Sequence, residues 1–175
     1  DEDRCLLVSE NRPEWLITDI AIMLAGGLTV PAYTTYTESD YKYLIEDCEP
    51  TVIIVSNNEM HKKLKKSIDS KSYIKKVITF EKITDENYNE KYLDFNSIIK
   101  TKLNEEDKIL NKYLKRTSPA CIIYTSGTGG NPKGVVLSHG GILNNCEGAC
   151  EILKPIIDKK PIFLTWLPLS HSYEH

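Results

Sequence analysis

Short apolar runs alternate with amphipathic stretches along the first half of the chain, and this alternation limits the possible fold more than any other feature. Four apolar runs are typical of strands, at residues 5–8, 29–32, 51–55 and 74–80. The three amphipathic stretches between them are typical of helices, at residues 13–25, 39–47 and 59–68. Regular alternation of strands and helices favours parallel strands joined by crossover helices. The sequence therefore predicts an α/β fold with a mainly parallel sheet and flanking helices.

The second half of the chain has a weaker pattern, followed by a strong local signal. Residues 81–118 are charged and rich in Asn, with amphipathic candidates at 95–103 and 106–114, and they predict a polar surface connection. A strand is then predicted at 119–123, and after a Gly-rich loop an apolar run at 134–137. Ser138 is expected to cap a helix that runs to about Leu153, before a last strand at 162–166. Because apolar runs flank the loop on both sides, the loop is predicted to join the two strands of a hairpin.

The loop sequence at 124–135, YTSGTGGNPKGV, has the composition of an anion-binding cradle. Its glycines can adopt positive φ and let the backbone approach a ligand closely; they are Gly127, Gly129, Gly130 and Gly134. Its amides and the hydroxyls of Thr125, Ser126 and Thr128 can bind phosphate oxygens, and Lys133 adds a positive charge. A purely structural turn is the alternative, but such a turn needs neither three hydroxyl groups nor a lysine.

The same loop does not fit the Walker A pattern of P-loop ATPases and kinases. Pro132 occupies the position at which that pattern requires Gly, and Gly134 occupies the position of the Ser or Thr. The phosphate cradle is therefore predicted to be of another kind.

Composition excludes several functional classes. The formal net charge is -3 and the pI is about 5.9, so no overall positive field attracts nucleic acid. The lysines at 62, 63, 65 and 66 are typical of a solvated helix face. The five cysteines lack metal-ligand spacing and favour reduced thiols in a cytosolic protein. The longest apolar stretch, residues 17–30, is too short to cross a bilayer.

Three segments in a fixed order carry a family resemblance. They are NRPEW at 11–15, the loop at 124–135, and WLPLSHSYEH at 166–175. Together they resemble the adenylate-forming enzymes, which include acyl-CoA synthetases, luciferases and the adenylation domains of peptide synthetases. The phosphate loop of that family typically reads YTSGTTGxPKGV, and the loop here departs from it only at Gly129, where a second Thr or a similar residue is usual. The last segment is similar to the LPLxHxxE element of long-chain acyl-CoA synthetases, with His171 and Glu174 at the matching positions.

The first of these segments also has a purely structural interpretation. Ser9 or Asn11 can cap a helix that has Pro13 in its first turn. An apolar stripe at helical spacing then predicts the buried face of that helix, with members Ile17, Ile20, Ala21 and Leu24. We therefore expect this segment to contribute packing.

The resemblance implies a domain and a reaction. Residues 1–175 would form part of the large N-terminal AMP-binding domain, without the C-terminal lid domain, because the chain lacks an initial Met and ends inside the third motif. The implied reaction is ATP-dependent activation of a medium to long fatty acid to an acyl adenylate and then to acyl-CoA, with release of AMP and pyrophosphate. It requires ATP, Mg²⁺ and coenzyme A. A carrier-protein thiol as acceptor, and a truncated nucleotide-binding module without turnover, remain alternatives.

The resemblance also implies roles for single residues. Lys133 and His171 would be catalytic: Lys133 pairs with the phosphates, and His171 faces the α-phosphate or the acyl end. The hydroxyl of Thr125 would lie near Mg²⁺. The implied nucleotide contacts are Thr125, Ser126, Gly127, Thr128, Gly129, Gly130, Lys133 and Gly134. The expected partners are fatty acid, ATP and coenzyme A, without nucleic acid or an obligate protein partner. The expected location is the cytoplasm, and peripheral membrane association of the parent enzyme stays open.

Overall fold

A computed structural model describes residues 3–84, 89–103, 114–125, 131–156, 162 and 164–171 of the chain. Its strands are β1 (Arg4–Val8), β2 (Leu28–Ala32), β3 (Val52–Val55), β4 (Lys76–Thr79), β5 (Tyr92–Asp94), β6 (Pro119–Thr125) and β7 (Lys133–Ser138). Its helices are α1 (Pro13–Leu24), α2 (Glu38–Cys48), α3 (Asn58–Ser70), α4 (Phe95–Ile98) and α5 (His139–Leu153). Within the described ranges, no helix combines the length and apolar character that crossing a bilayer requires.

The strands form one sheet in the order β5-β4-β3-β1-β2-β6-β7. The first six strands are parallel, and β7 alone runs antiparallel to its neighbour β6. The predicted α/β class with a mainly parallel sheet is confirmed. Because the parallel strands all end at one edge of the sheet, the loops that follow β1, β2, β3 and β6 lie along that edge. Ligands of open α/β sheets bind in crevices beyond this edge.

The central strands bury side chains on both faces. On β1, Leu6 and Val8 pack on the face covered by α2 and α3, whereas Cys5 and Leu7 pack on the face of Trp15 in α1. This alternation follows from the two-residue period of a strand. Burial on both faces explains why these strands read as continuous apolar runs in the sequence.

Side-chain caps begin three of the helices, and the cap at Ser138 is expected from the sequence. The Asn57 side chain accepts hydrogen bonds from the amides of Glu59 and Met60, and the Ser138 side chain accepts one from Gly141. Thr37 and Asp40 form a reciprocal capping box at the start of α2. Each of these bonds satisfies backbone donors that a helix leaves without partners.

The predictions for α1 are wrong in two respects. Its N-cap is Arg12, without a side-chain cap hydrogen bond, and neither Ser9 nor Asn11 performs that role. Pro13 at the first helical position has no N–H, so fewer donors need a cap. The expected buried stripe is about half exposed, at 53% for Ile17 and 52% for Leu24. The helix is instead anchored by Trp15, which is fully buried.

The exposed side of α1 borders an apolar depression. Ile17 and Ala21 line a cavity of about 720 Å³ together with Phe95 and Leu114. The packing of this helix therefore depends on Trp15, and the stripe faces open space on the described molecule.

The described part of the connection expected at residues 81–118 has more regular structure than its polar composition indicates. It contains β5, which pairs in parallel with β4, and the short helix α4, which ends at Ile98 and not at residue 103. The cap of α4 is Asp94, which accepts a hydrogen bond from the Ser97 amide. The helix candidate at 106–114 lies almost entirely outside the described residues. The predicted strand at 162–166 is wrong for residues 162 and 164–166, which have no strand structure.

Candidate phosphate-binding site

The predicted hairpin is confirmed by the pairing of β6 with β7. The antiparallel register runs from Pro119 opposite Ser138 to Thr125 opposite Lys133. Strand β6 also pairs in parallel with β2, so the loop end of the hairpin, next to Thr125 and Lys133, lies at the ligand-binding edge of the sheet. The five loop residues predicted to wrap the phosphates lie outside the described residues: Ser126, Gly127, Thr128, Gly129 and Gly130.

Thr125 and Lys133 face each other at the last rung of the hairpin, immediately before and after the loop. Residues directly opposite in an antiparallel pair have Cα atoms about 4.5–5.5 Å apart. Both side chains are exposed. Within the described ranges, no carboxylate forms an ion pair with Lys133. A hydroxyl and an unneutralised ammonium group therefore flank the mouth of the loop.

Gly134 is required by packing and not by a positive φ. It lies within β7 opposite Tyr124, and among the described glycines only Gly26 has a positive φ. A Cβ atom at position 134 would lie 2.9 Å from Cγ2 of Ile122 and 3.3 Å from Cζ of Tyr124. The Tyr124 ring thus crosses the hairpin where a side chain would otherwise stand. The expectation that Gly134 supplies backbone freedom is corrected accordingly.

Helix α2 braces the hairpin through two side chains one turn apart. The Tyr43 hydroxyl donates to the Pro132 carbonyl at 2.9 Å, and the Tyr124 hydroxyl donates to the Asp47 carboxylate at 2.5 Å. Burial raises the pKa of Tyr124 far above its ordinary value, and the hydrogen bond to Asp47 raises it further. Tyr124 is therefore a neutral donor at physiological pH.

Sequence reasoning missed both Tyr43 and Asp47. Their spacing of four residues places them on one face of a helix. Nothing local in the sequence shows that this face meets the phosphate hairpin, because that contact depends on the position of β6 in the sheet.

The segment with the candidate histidine lies at the same edge of the sheet. The Asn11 side chain, three residues beyond the end of β1, donates to the Leu167 carbonyl and accepts from the Leu169 amide, both at 2.8 Å. Leu169 is buried beside Trp15, and the His171 amide donates to the Pro168 carbonyl. His171 is partly exposed, and Glu174 lies outside the described residues.

The sheet order sets the separation of the two candidate motifs. Only β2 lies between β1 and β6, and neighbouring strands are about 4.8 Å apart, so the ends of β1 and β6 are separated by roughly 10 Å. The fold therefore brings the Lys133 hairpin and the His171 segment to neighbouring positions along one edge, although 37 residues, from 134 to 170, separate them in sequence.

The residues at the mouth of the loop can be compared with the protein ligands that Mg²⁺ takes when it is bound to phosphates. No group of three or more His, Cys, Asp or Glu side chains within the described ranges could hold a metal ion. Mg²⁺ commonly takes few protein ligands and completes its octahedron with water and substrate phosphates. One hydroxyl, from Thr125, beside one ammonium group, from Lys133, fits that kind of site.

The whole chain matches the model of one protein family. The model of the AMP-binding enzymes matches residues 1–175. Long chain acyl-CoA synthetase 3 of Arabidopsis thaliana is 30% identical over 98% of this chain and 27% of its own length. Long-chain-fatty-acid–CoA ligase ACSBG2 of Xenopus laevis is 31% identical over 92% of this chain and 22% of its own length. The chain thus spans about a quarter of the length of these curated relatives.

Solved structures share the fold. MbtA of Mycobacterium smegmatis superposes with a TM-score of 0.74 at 15% identity, over 98% of this chain and 30% of that one. ATP-bound MatB of Rhodopseudomonas palustris superposes with a TM-score of 0.70 at 21% identity, over 99% of this chain and 31% of that one. At these identities the likeness concerns the fold alone.

Proposed function

Because the chain belongs to the family of AMP-binding enzymes, we propose that it forms part of the N-terminal domain of a fatty acid–CoA ligase. That enzyme joins a fatty acid to ATP, giving an acyl adenylate and pyrophosphate, and then transfers the acyl group to the thiol of coenzyme A with release of AMP. Similarity to long-chain acyl-CoA synthetases over nearly the whole chain supports the choice of substrate class.

The main physical problem in the first step is charge. An anionic carboxylate must approach the α-phosphate of an anionic nucleotide, so the phosphates need cations and fixed dipoles around them. Lys133 and the loop amides would hold the β- and γ-phosphates and stabilise the leaving pyrophosphate. The observation that carries this proposal is the exposed Lys133 opposite Thr125 at the mouth of the hairpin, without a described carboxylate to neutralise it.

Mg²⁺, when bound with ATP, would neutralise the charge that develops on the phosphates. The Thr125 hydroxyl would lie near that ion. The α2 brace of Tyr43 and Asp47 would keep the two sides of the hairpin fixed, so that little reorganisation is needed when the triphosphate binds.

His171 would orient the reacting groups and not remove a proton. A fatty acid carboxyl group is ionised at neutral pH, and an ionised carboxylate needs no general base. An imidazole N–H donated to the carboxylate or to an α-phosphate oxygen would align the attack.

The test is fatty-acid-dependent exchange of pyrophosphate into ATP by the complete protein. We expect Lys133→Ala to lower the exchange rate by a factor of roughly 10 to 1000, as loss of one electrostatic contact to the leaving group would. Lys154→Ala is the matched control, because Lys154 is an exposed lysine at the end of α5 and its removal changes the net charge equally. Equal rates for the two variants would contradict the assigned role of Lys133.

The acceptor and the contribution of residues 1–175 are tested separately. The complete protein should release AMP with coenzyme A, whereas turnover only with a carrier-protein thiol would contradict the ligase assignment. We expect the 175-residue chain by itself to bind ATP weakly and to form no acyl adenylate. Exchange by that chain at the rate of the complete protein would contradict its assignment as part of a larger catalytic domain.

A further inference from the structure

We propose that Asn11 is a positioning residue for His171, acting through the backbone of residues 167–171. This inference rests on the proposed function, because it assigns to Asn11 the task of holding a residue whose catalytic role is itself proposed. Its basis is a direct link between the NRPEW segment near the start of the chain and the LPLSH segment near its end.

The link consists of two hydrogen bonds from one carboxamide. The Asn11 Nδ2 group donates to the Leu167 carbonyl at 2.8 Å, and the Asn11 Oδ1 atom accepts from the Leu169 amide at 2.8 Å. These contacts bridge 156 and 158 positions of sequence. A neighbouring parallel strand engages a carbonyl and the amide two residues later in the same way. The Asn11 side chain thus engages residues 167 and 169 as a neighbouring parallel strand would.

A carboxamide matches this arrangement without a charge. Asn carries one donor group and one acceptor atom, whereas an ionised Asp carries acceptors alone. With Asp at position 11, an oxygen would face the Leu167 carbonyl oxygen. The Asn11 side chain does not cap α1, because Pro13 begins that helix and its N-cap is Arg12. It can therefore form both hydrogen bonds to the later segment.

The loop that contains Asn11 is held in place by ion pairs of the neighbouring residue Arg12. The neighbouring Arg12 guanidinium forms ion pairs with Glu10, Glu14 and Glu81 at 2.8–3.3 Å and lies 5.5 Å from the centre of the Phe80 ring. The hydrogen bond to Glu14 is the largest of the effects that raise the pKa of Arg12, so its charge is permanent. The loop that presents Asn11 is therefore tied to α1 and to the end of β4.

The two residues that Asn11 holds, Leu167 and Leu169, closely precede His171 in the sequence. The Leu169 side chain is buried with Trp15 and Leu7, which fixes the segment against the sheet. Ser170 is also buried, and the His171 amide closes a turn onto the Pro168 carbonyl at 2.8 Å. With the Leu167 carbonyl, the Leu169 amide and the Leu169 side chain all held, the direction in which the chain reaches His171 is set.

The experiment combines kinetics of the complete protein with amide exchange. We expect Asn11→Ala to lower the kcat of adenylation by about 10-fold, the rate equivalent of one to two neutral hydrogen bonds, with the KM for ATP changed by less than about 2-fold. Hydrogen exchange at the Leu169 amide should accelerate, whereas the Leu7 amide in β1 keeps its protection. Ser9→Ala is the matched control, because the Ser9 hydroxyl donates only within the same loop, to the Glu10 carbonyl.

A double-mutant cycle separates positioning from general stability. If Asn11 acts through His171, the variant with both Asn11→Ala and His171→Ala should be no slower than His171→Ala alone. Additive losses would overturn the proposal, and so would a wild-type rate for Asn11→Ala while His171→Ala is impaired. A wild-type rate for His171→Ala would refute the role of His171 in the proposed function, and with it the catalytic purpose of the link.

Asn11→Asp supplies a readout that a merely structural role would not move. At neutral pH its carboxylate repels the Leu167 carbonyl, so kcat should fall at least as far as in Asn11→Ala. Protonation of the carboxyl group restores a donor, so the ratio of its kcat to that of the wild type should rise as the pH falls towards about 5. The charged groups around position 11 are Glu10, Arg12, Glu14 and Glu81, and they are present in both proteins, so the ratio isolates the new carboxyl group. A ratio that stays constant with pH would overturn the proposal, even if Asn11→Ala failed to fold.

Discussion

Replacing Gly134 by Ala should open or distort the hairpin just beside the phosphate loop. Carbon atoms in contact prefer separations of about 3.5–4.0 Å. The new Cβ would lie 2.9 Å from Cγ2 of Ile122 and 3.3 Å from Cζ of Tyr124, so at least one neighbour must move by more than half an ångström. Overpacking of this kind typically costs about 1–3 kcal/mol.

That cost can be measured by thermal unfolding. For a domain of 150–250 residues, 1 kcal/mol corresponds to roughly 2–4 °C, so if the region around the hairpin unfolds as a unit of that size, Gly134→Ala should lower its Tm by about 2–12 °C. Gly148→Ala is the matched control, because a Cβ at that exposed position within α5 meets nothing within 4 Å. This control should gain up to about 1 kcal/mol, since Ala favours a helix interior over Gly.

A second substitution tests the cause. Ile122→Ala removes the closest contact, so adding Gly134→Ala to it should cost less than in the wild type. A Tm for Gly134→Ala at or above that of the wild type would refute the packing explanation. Strictly additive losses with Ile122→Ala would show that the clash with Ile122 is not the cause.

Three further results are expected. At pH 8 an alkylating reagent should modify the exposed Cys146 and Cys150 within minutes, and the three buried thiols only on unfolding. Mass spectrometry measures the labelling, and rapid labelling of all five cysteines would contradict the described core. Tyr124→Phe should cost about 1 kcal/mol in chemical denaturation at pH 7. Because the pKa of Tyr124 is raised in the folded state, its contribution is full below about pH 10 and declines as the pH rises further, so equal alkaline slopes in both proteins would count against it. Asp40→Ala should destabilise by about 0.5 kcal/mol. Hydrogen bonding to Thr37 lowers the pKa of Asp40, so this difference should persist above about pH 4 and shrink below it, and a pH-independent difference would contradict the capping box.

The sequence predicted the features that depend on local chemistry. The strand at residues 5–8 and the cap at Ser138 are examples, because a strand buried on both faces has a continuous apolar run and a cap needs a side-chain acceptor. The hairpin was predictable for the same reason, since apolar runs flank the loop on both sides.

The features that were missed depend on tertiary position. Strand β5 has only three residues in a charged stretch, and its pairing with β4 supplies the order that its own composition does not. Asn11 is a residue type that commonly caps helices, but the hydrogen-bond partners of its side chain are 156 and 158 residues away in sequence. Tyr43 and Asp47 contact the hairpin because α2 and Tyr124 pack in the same buried cluster on one face of the sheet. No local pattern in the sequence distinguishes the residues that make these contacts from other polar residues.

A crystal structure of the complete protein with ATP and Mg²⁺ tests most directly whether the hairpin of β6 and β7 holds the phosphates of ATP, as we propose. We expect the Lys133 ammonium group and the loop amides to lie within about 3 Å of β- or γ-phosphate oxygens, the distance of charge-assisted hydrogen bonds. A triphosphate bound elsewhere, with Lys133 and the loop out of reach, would contradict the account.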